Sequence, residues 1–135
     1  MYSQDSTFDN GFIQVDNIHK IYYEQYGNPK GKPILFLHGG PGAGCSSFQK
    51  RFFDYKKYRV IFFDQRGSGK SLPYAETNKN TTKYLINDIE VLRKFLKIKS
   101  WLIFGGSWGS TLALLYGIKF PKNCSGFLLR GVFLG

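Results

Sequence analysis

Ser107 sits among three glycines in the stretch FGGSWGS, residues 104–110, directly after the apolar run WLIF. A serine hydroxyl can attack a carbonyl carbon, but only when the fold exposes it and a base takes its proton. The run Gly105-Gly106-Ser107-Trp108-Gly109 matches G-x-S-x-G. In that pattern a sharp turn from strand to helix holds the serine in a strained backbone conformation with its hydroxyl clear of the sheet. Glycine costs conformational entropy on folding, so three around one hydroxyl need a reason. Gly105 and Gly109 stand two residues to either side of the serine, where strand and helix are expected to cross too closely for a Cβ. Gly106 is expected to relieve the turn itself. A helix beginning at Trp108 would aim its N–H groups and positive dipole end at Ser107. The Trp108 backbone N–H is then placed to hold a developing oxyanion.

A Gly-rich turn with an idle serine gives the same five letters, so a second motif has to decide. Acyl transfer uses two donors on the oxyanion, and the turn at Ser107 supplies one. The other is expected from FLHGGPGAG, residues 36–44, where glycines after an earlier strand let a backbone N–H approach the substrate. Gly39 and Gly40 both occupy that place, and the Gly40 N–H is favoured. Neither glycine-rich loop reads as a nucleotide site. No G-x-G-x-x-G can be drawn through residues 39–44. In DQRGSGKS, residues 64–71, Asp64 stands where a P-loop needs its first glycine. Asp64 and Arg66 are expected instead to pin the loop at the end of their strand, near the site.

Four continuous apolar runs must position these loops: PILFLHGG, with the look of a strand buried on both faces, then YRVIFFD, SWLIFGG and GFLLRGVF, each read as a buried strand. Before them GFIQVDN and HKIYYEQYG alternate apolar and polar residues, as a half-exposed β-hairpin does, with Asp16-Asn17 in its turn. Leu85, Ile89, Leu92 and Leu96 recur at helical spacing and predict an amphipathic helix over 82–96. Residues 46–55 predict a short helix, and 108–119 an almost wholly apolar one stopped by Pro121. Strands alternating with helices indicate an α/β layer fold with a largely parallel sheet. The last strand is followed by no covering helix, so an apolar edge and face are expected to stand open. Residues 1–135 therefore read as one incomplete core domain, with 1–10 flexible.

Composition limits the partners. Hydrophobic residues make up 42% of the 135 and charged ones 21%, with thirteen Phe and nine Tyr, which suits a packed core. The net charge is +10, but the lysines are scattered and form no single patch. The reading is a lysine-biased composition, or one part of a protein whose other part carries the acids, and not a nucleic-acid binder. No apolar stretch reaches membrane-spanning length, and the opening residues lack the basic start of a signal peptide. Cys45 and Cys124 make neither a disulfide framework nor a metal site, so reduced thiols and the cytosol are expected, with no metal.

With these motifs in place the sequence resembles the proline iminopeptidases (prolyl aminopeptidases), a peptidase family of α/β-hydrolase fold. The residues that carry it are LHGGPGAG, FFDQRGSGKS, NTTKYLINDIEVLRKFL, FGGSWGSTLALLYG and LLRGVF, in that order. The resemblance implies a serine hydrolase that releases N-terminal proline from peptides, with Ser107 as nucleophile. The N–H groups of Gly40 and Trp108 would form the oxyanion hole, with no metal or organic cofactor. The family's cap, which recognises the substrate, would follow residue 135.

The departure from the family is equally plain. The triad of this fold runs Ser, then Asp or Glu, then His, yet no His, Asp or Glu follows Ser107. His19 and His38 lie upstream, and His38 as base would need a different chain order. Without a base the hydroxyl is a weak nucleophile. The expectation is the N-terminal part of such an enzyme, inactive and poorly soluble alone. Alternatives are another esterase or hydrolase of the same fold, or a non-catalytic fragment that pairs with a separately encoded C-terminal half.

Overall fold

The computed structural model describes residues 7–16, 19–37, 56–65, 82–106 and 108–130. The alternating opening segment folds into β1 (Thr7–Gln14) and β2 (Lys20–Gly27), paired antiparallel with Phe12 opposite Tyr22. Between them Val15 N–H donates to the His19 carbonyl, and Asp16 caps the turn by accepting from the His19 N–H at 2.7 Å. The start expected to be flexible over 1–10 overlaps β1 from Thr7 onward, and residues 1–6 lie outside the described residues. Asp9 and Asn10 pair with Gln25 and Glu24 in the β1–β2 ladder, and the Gln25 side chain donates to Asp9 at 2.7 Å.

The next strands are β3 (Lys32–Leu37), β4 (Tyr58–Phe63), β5 (Trp101–Gly106) and β6 (Cys124–Arg130). The sheet order is β1-β2-β4-β3-β5-β6, antiparallel through β2–β4 and parallel from β4 to β6. Successive side chains of a strand face opposite sides, so one continuous apolar run feeds two cores. Leu35, Leu37, Ile61, Phe63 and Ile103 face one side, and Ile34, Phe36, Val60 and Phe62 face the other with Tyr26, Leu102 and Phe104. On the second face the rings of Tyr26, Phe62, Phe36 and Phe104 form a row across four strands, ending in a stacked pair 5.2 Å apart.

Two helices pack on the first face. In α1 (Thr82–Phe95) and the residue just past it, the four positions spaced for one helix face, Leu85, Ile89, Leu92 and Leu96, are all buried. The helix ends as Ile98 N–H reaches back to the Arg93 carbonyl, with Lys97 in the left-handed region at φ 58°. That closure is the Schellman type, which glycine usually fills. In α2 (Trp108–Lys119) Leu112, Ala113 and Tyr116 are buried, and the helix gives way at Pro121 to a single 3₁₀ turn (Pro121–Asn123). Its apolar outer face is not buried: Leu114, Leu115 and Ile118 are exposed, the last at 78%.

The apolar edge and face expected to stand open at the last strand are found at β6 among the described residues. β6 is an edge strand that pairs with β5 alone among the described strands, and Phe127 and Leu128 are exposed. An apolar run reports affinity for a core, not how many neighbours the strand has. The helix expected over 46–55 lies outside the described residues.

Candidate active site

β3 is the strand at which the chain changes direction across the sheet. The connection after β3 leads to β4 on one side, and the later return places β5 on the other. In open α/β sheets such a reversal leaves a crevice at the carboxyl ends of the two strands, and ligands bind there. Here those strands are β3 and β5, hydrogen-bonded neighbours whose last paired residues are Leu37 and Gly105. The two glycine-rich motifs leave from this pair of strand ends. Gly40 follows Leu37 by three residues and Ser107 follows Gly105 by two. Gly40 and Ser107 themselves lie outside the described residues.

The turn from β5 to α2 is as short as a chain allows. Gly106 ends the strand, Trp108 opens the helix, and Ser107 is the one residue between. Gly105 is buried in the crossing. A Cβ placed on it would lie 2.5 Å from the Gly109 carbonyl oxygen, 2.7 Å from its carbon and 2.9 Å from the Ser110 nitrogen. All three are backbone atoms, which cannot rotate away. Gly106 differs: a Cβ there meets nothing within 4 Å among the described residues, and its φ is not positive.

The start of α2 carries no opposite charge of its own. Its first turn holds no acidic residue, so the partial positive charge of twelve helical residues is not neutralised from within the helix. Its leading N–H groups have no partner in a preceding helical turn, as at any helix start. An anion or an oxygen gaining charge is favoured at such an end.

Other candidate groups fall at different places. Asp64 and Gln65, just past β4, are buried, and the Asp64 N–H donates to the Tyr22 carbonyl at 2.9 Å. Asp64 thus sits on the same rim of the sheet as the ends of β3 and β5; Arg66 lies outside the described residues. His19, fully buried beside Asp16 with Nδ1 at 3.1 Å from its carboxylate, precedes β2 on this rim too. Three strand spacings separate β2 from β5, about 14 Å, which is too far for His19 to take a proton from a residue at the end of β5. His38 is outside the described residues. No group of three or more His, Cys, Asp or Glu that could hold a metal occurs among the described residues.

One polar cluster went unforeseen, at the other end of the β5–α2 unit. The Glu90 carboxylate, on α1, accepts from Arg93 Nε and Nη2 at 2.9 and 2.8 Å, from the Tyr116 hydroxyl at 2.5 Å and from Asn123 Nδ2 at 3.0 Å. Trp101 Nε1 donates to the same Tyr116 oxygen at 3.3 Å. Burial alone would raise the Glu90 pKa, but the bonds from Arg93, Tyr116 and Asn123 outweigh it and hold the group below its ordinary value of 4.5. Burial, then Glu90, pushes the Tyr116 hydroxyl well up, so it stays a donor. The cluster ties the first residue of β5 and the last turn of α2 to α1. The Glu90–Arg93 spacing of three was the available signal, since such pairs meet on a helix surface. Nothing in the spacing marks this pair as buried.

Comparison with known proteins matches residues 32–133 to the α/β hydrolase fold family. The chain is 52% identical over 134 residues to a proline iminopeptidase of Xylella fastidiosa (strain Temecula1), covering 99% of this chain and 43% of that protein. It is equally identical to a proline iminopeptidase of Arabidopsis thaliana, covering 35% of that protein. A crystal structure of a proline iminopeptidase-related protein from Thermus thermophilus superposes with a TM-score of 0.79 at 31% identity, over 90% of this chain and 43% of that one. The chain thus spans less than half the length of the curated relatives it matches.

Proposed function

Because the chain belongs to the α/β hydrolase fold family, we propose that it supplies the nucleophile and oxyanion hole of a serine aminopeptidase that releases N-terminal proline from peptides. One observation carries the reading: the backbone of Gly109 and Ser110 lies so close to Gly105 that no side chain fits. Strand and helix therefore cross within the two residues flanking Ser107, and a turn this tight forces the serine outward. Ser107 is the attacking hydroxyl. The Trp108 N–H, at the head of α2, and the Gly40 N–H, in the loop after β3, receive the negative charge that develops on the carbonyl oxygen. Gly105 and Gly109 leave room for the crossing. No cofactor is called for by acyl transfer to serine.

The base is the part this sequence does not supply. No His, Asp or Glu follows Ser107, and His19 stands about three strands away. Alone, the chain is expected to be inactive: an oxyanion hole without its base retains only a small share of triad catalysis. The similarity to proteins named proline iminopeptidase supports a peptide substrate with an N-terminal proline. Another hydrolase of the same fold is the second reading, because the chain spans less than half the length of the relatives it matches. The reading places the chain in the cytosol; among the described residues no helix is long and apolar enough to cross a membrane.

Two measurements test the proposal. The isolated chain should not release naphthylamine from proline-β-naphthylamide, and turnover abolished by Ser107→Ala would overturn its inactivity. Joining the chain to the unmatched remainder of the Xylella fastidiosa relative should give an active chimera. Ser107→Ala should lower its kcat by roughly a thousandfold or more, the loss expected when a triad nucleophile is removed. A chimera that keeps its activity after that substitution would remove Ser107 from the mechanism.

A further inference from the structure

The lysines are scattered along the sequence, yet the fold gathers them. The parallel strands β3 to β6 all start at one rim of the sheet, opposite the strand ends that lead to Gly40 and Ser107. Lys30 precedes β3, Lys32 opens it, and Lys56 and Lys57 come just before β4. Backbone bonds join these two segments: Asn28 N–H donates to the Tyr58 carbonyl at 3.0 Å, and Lys32 N–H to the Lys57 carbonyl at 3.3 Å. Lys94 lies in the last turn of α1, and Lys97 and Lys99 follow it on the way to β5. Arg59, the second residue of β4, ties this stretch to its neighbour by donating from Nη2 to the Leu96 carbonyl at 3.3 Å. Lys119 ends α2, and Lys122 sits in the 3₁₀ turn before β6.

Nine of the eleven described lysines thus share this rim, and all nine are exposed. The other two, Lys20 and Lys83, stand at the opposite rim, at the starts of β2 and α1. None of the six described Asp or Glu is exposed. The two nearest the lysines are engaged inside the fold, Asp9 by the Gln25 side chain and Glu90 by Arg93, Tyr116 and Asn123. Spacing along the sequence hid this patch, because its members come from the starts of four adjacent strands, a row about 14 Å across. Lys94 and Lys119 close helices, where a cation offsets the dipole, but Lys30 and Lys32 lie on a turn and a strand and have no such role.

The kind of cation identifies the partner. Recognition of single phosphates or bases favours arginine, whose planar fork bonds in two places at once. Both described arginines at this rim are turned inward: Arg59 Nε donates to Gln25 at 2.6 Å, and Arg93 holds Glu90. The exposed cations are lysines, hydrated point charges that suit a diffuse anionic surface rather than a defined ligand. The last turns of the two helices add exposed apolar side chains, Phe95 at 54% and Ile118 at 78%. A phosphodiester backbone has no use for these, whereas the interface of a bilayer takes them up.

We propose that the lysine rim at the starts of β3, β4, β5 and β6 docks the chain on an anionic phospholipid bilayer, peripherally and by Coulomb attraction. Each lysine brought to such a leaflet adds to the attraction, and salt screens it. The crevice at the carboxyl ends of β3 and β5 is then turned away from the lipid, toward solvent. This goes beyond the reading under Proposed function and does not depend on it.

The test is flotation of the full chain, cleared by centrifugation, with phospholipid vesicles on a density gradient. Vesicles of phosphatidylcholine with about 30% phosphatidylglycerol should carry the chain upward, and vesicles of phosphatidylcholine alone should not. Raising the salt from about 100 mM to about 500 mM should weaken binding by about tenfold. Lys57→Glu with Lys99→Glu should weaken it by about twentyfold or more, since each lysine at such a surface contributes about fivefold. Lys20→Glu with Lys83→Glu changes the net charge equally at the other rim and should weaken it by less than about threefold. A second rim pair, Lys30→Glu with Lys122→Glu, should match the first, which separates the rim from a local folding defect. Absence of the chain from the floated anionic vesicles would overturn the proposal, as would equal losses from the pairs at the two rims. Tighter binding to a labelled DNA duplex than to the vesicles at the same salt, lost in the rim pairs, would give the rim to nucleic acid and overturn the lipid assignment.

Discussion

Replacing Gly105 by alanine adds one methyl group where three backbone atoms already lie within 2.9 Å. Ordinary carbon contacts begin near about 3.5 Å, so each pair is deep in the repulsive wall. The obstacles belong to Gly109 and Ser110, in the first turn of α2, and relief requires that helix to move off β5. Overpacking a filled site costs about 1–3 kcal/mol. With no flexible side chain to yield, the upper end applies, about 3 kcal/mol. Gly106→Ala is the matched control, one residue on and, among the described residues, with no atom within 4 Å of the added carbon. There the loss of unfolded-state freedom should stabilise by about 0.5 kcal/mol. Urea unfolding followed by tryptophan fluorescence reads both. With an m-value of about 2 kcal/mol per molar, the midpoint should fall by about 1.5 M for Gly105→Ala and rise slightly for Gly106→Ala. Equal midpoints for the two variants would refute the close crossing, and with it the tight turn assigned to Ser107.

Lys97→Gly should stabilise the chain by about 1 kcal/mol, because a side chain at φ 58° is strained where glycine is not; a thermal midpoint raised by about 3 °C would show it. Glu90→Gln should cost about 2 kcal/mol at pH 7, where the carboxylate accepts from Arg93, Tyr116 and Asn123. Since the folded pKa lies below 4.5, that contribution is complete above about pH 5 and is lost as the pH falls through the folded value. The gap between wild type and Glu90→Gln in urea melts should therefore close at acid pH and stay constant from about pH 6 to 8. Burial, then the charge of Glu90, pushes the Cys124 thiol up to about 11. At about pH 8 Cys124 should therefore alkylate far more slowly with iodoacetamide than a free cysteine, as followed by peptide mass spectrometry.

The strands were legible because their apolar runs are long and their boundaries carry glycine, proline or charge. The hairpin at the start was legible because its period is two, and α1 because four leucine and isoleucine positions fell on one stripe. What the pattern could not convey was the number of neighbours each strand has. GFLLRG and PILFL look alike as strings, yet among the described strands β3 lies between two and β6 has one neighbour. Burial on both faces depends on which segments arrive from elsewhere in the chain, and no short window of sequence contains that. The same limit hid the Glu90 cluster, whose members Trp101, Tyr116 and Asn123 lie 11 to 33 residues from Glu90. Of the candidate site, the strand–serine–helix order and the need for glycine at 105 could be read directly. The adjacency of the strand ends before Gly40 and Ser107 could not, because it follows from the reversal of strand order at β3.

That reversal also sets an order of assembly. β4 reaches β3 across a connection of about twenty residues, but β5 must pair with the other edge of β3 from far along the chain, with Leu35 opposite Ile103. Closing so long a loop costs entropy before any contact repays it, so pairing of β5 is expected to be the slow step of folding. Until residues 101–106 arrive, β3 is itself an open apolar edge, and during synthesis it waits while roughly sixty further residues are made. The strand pair from whose ends the two glycine-rich segments leave is thus the last parallel pair around β3 to form and the one most exposed to mispairing.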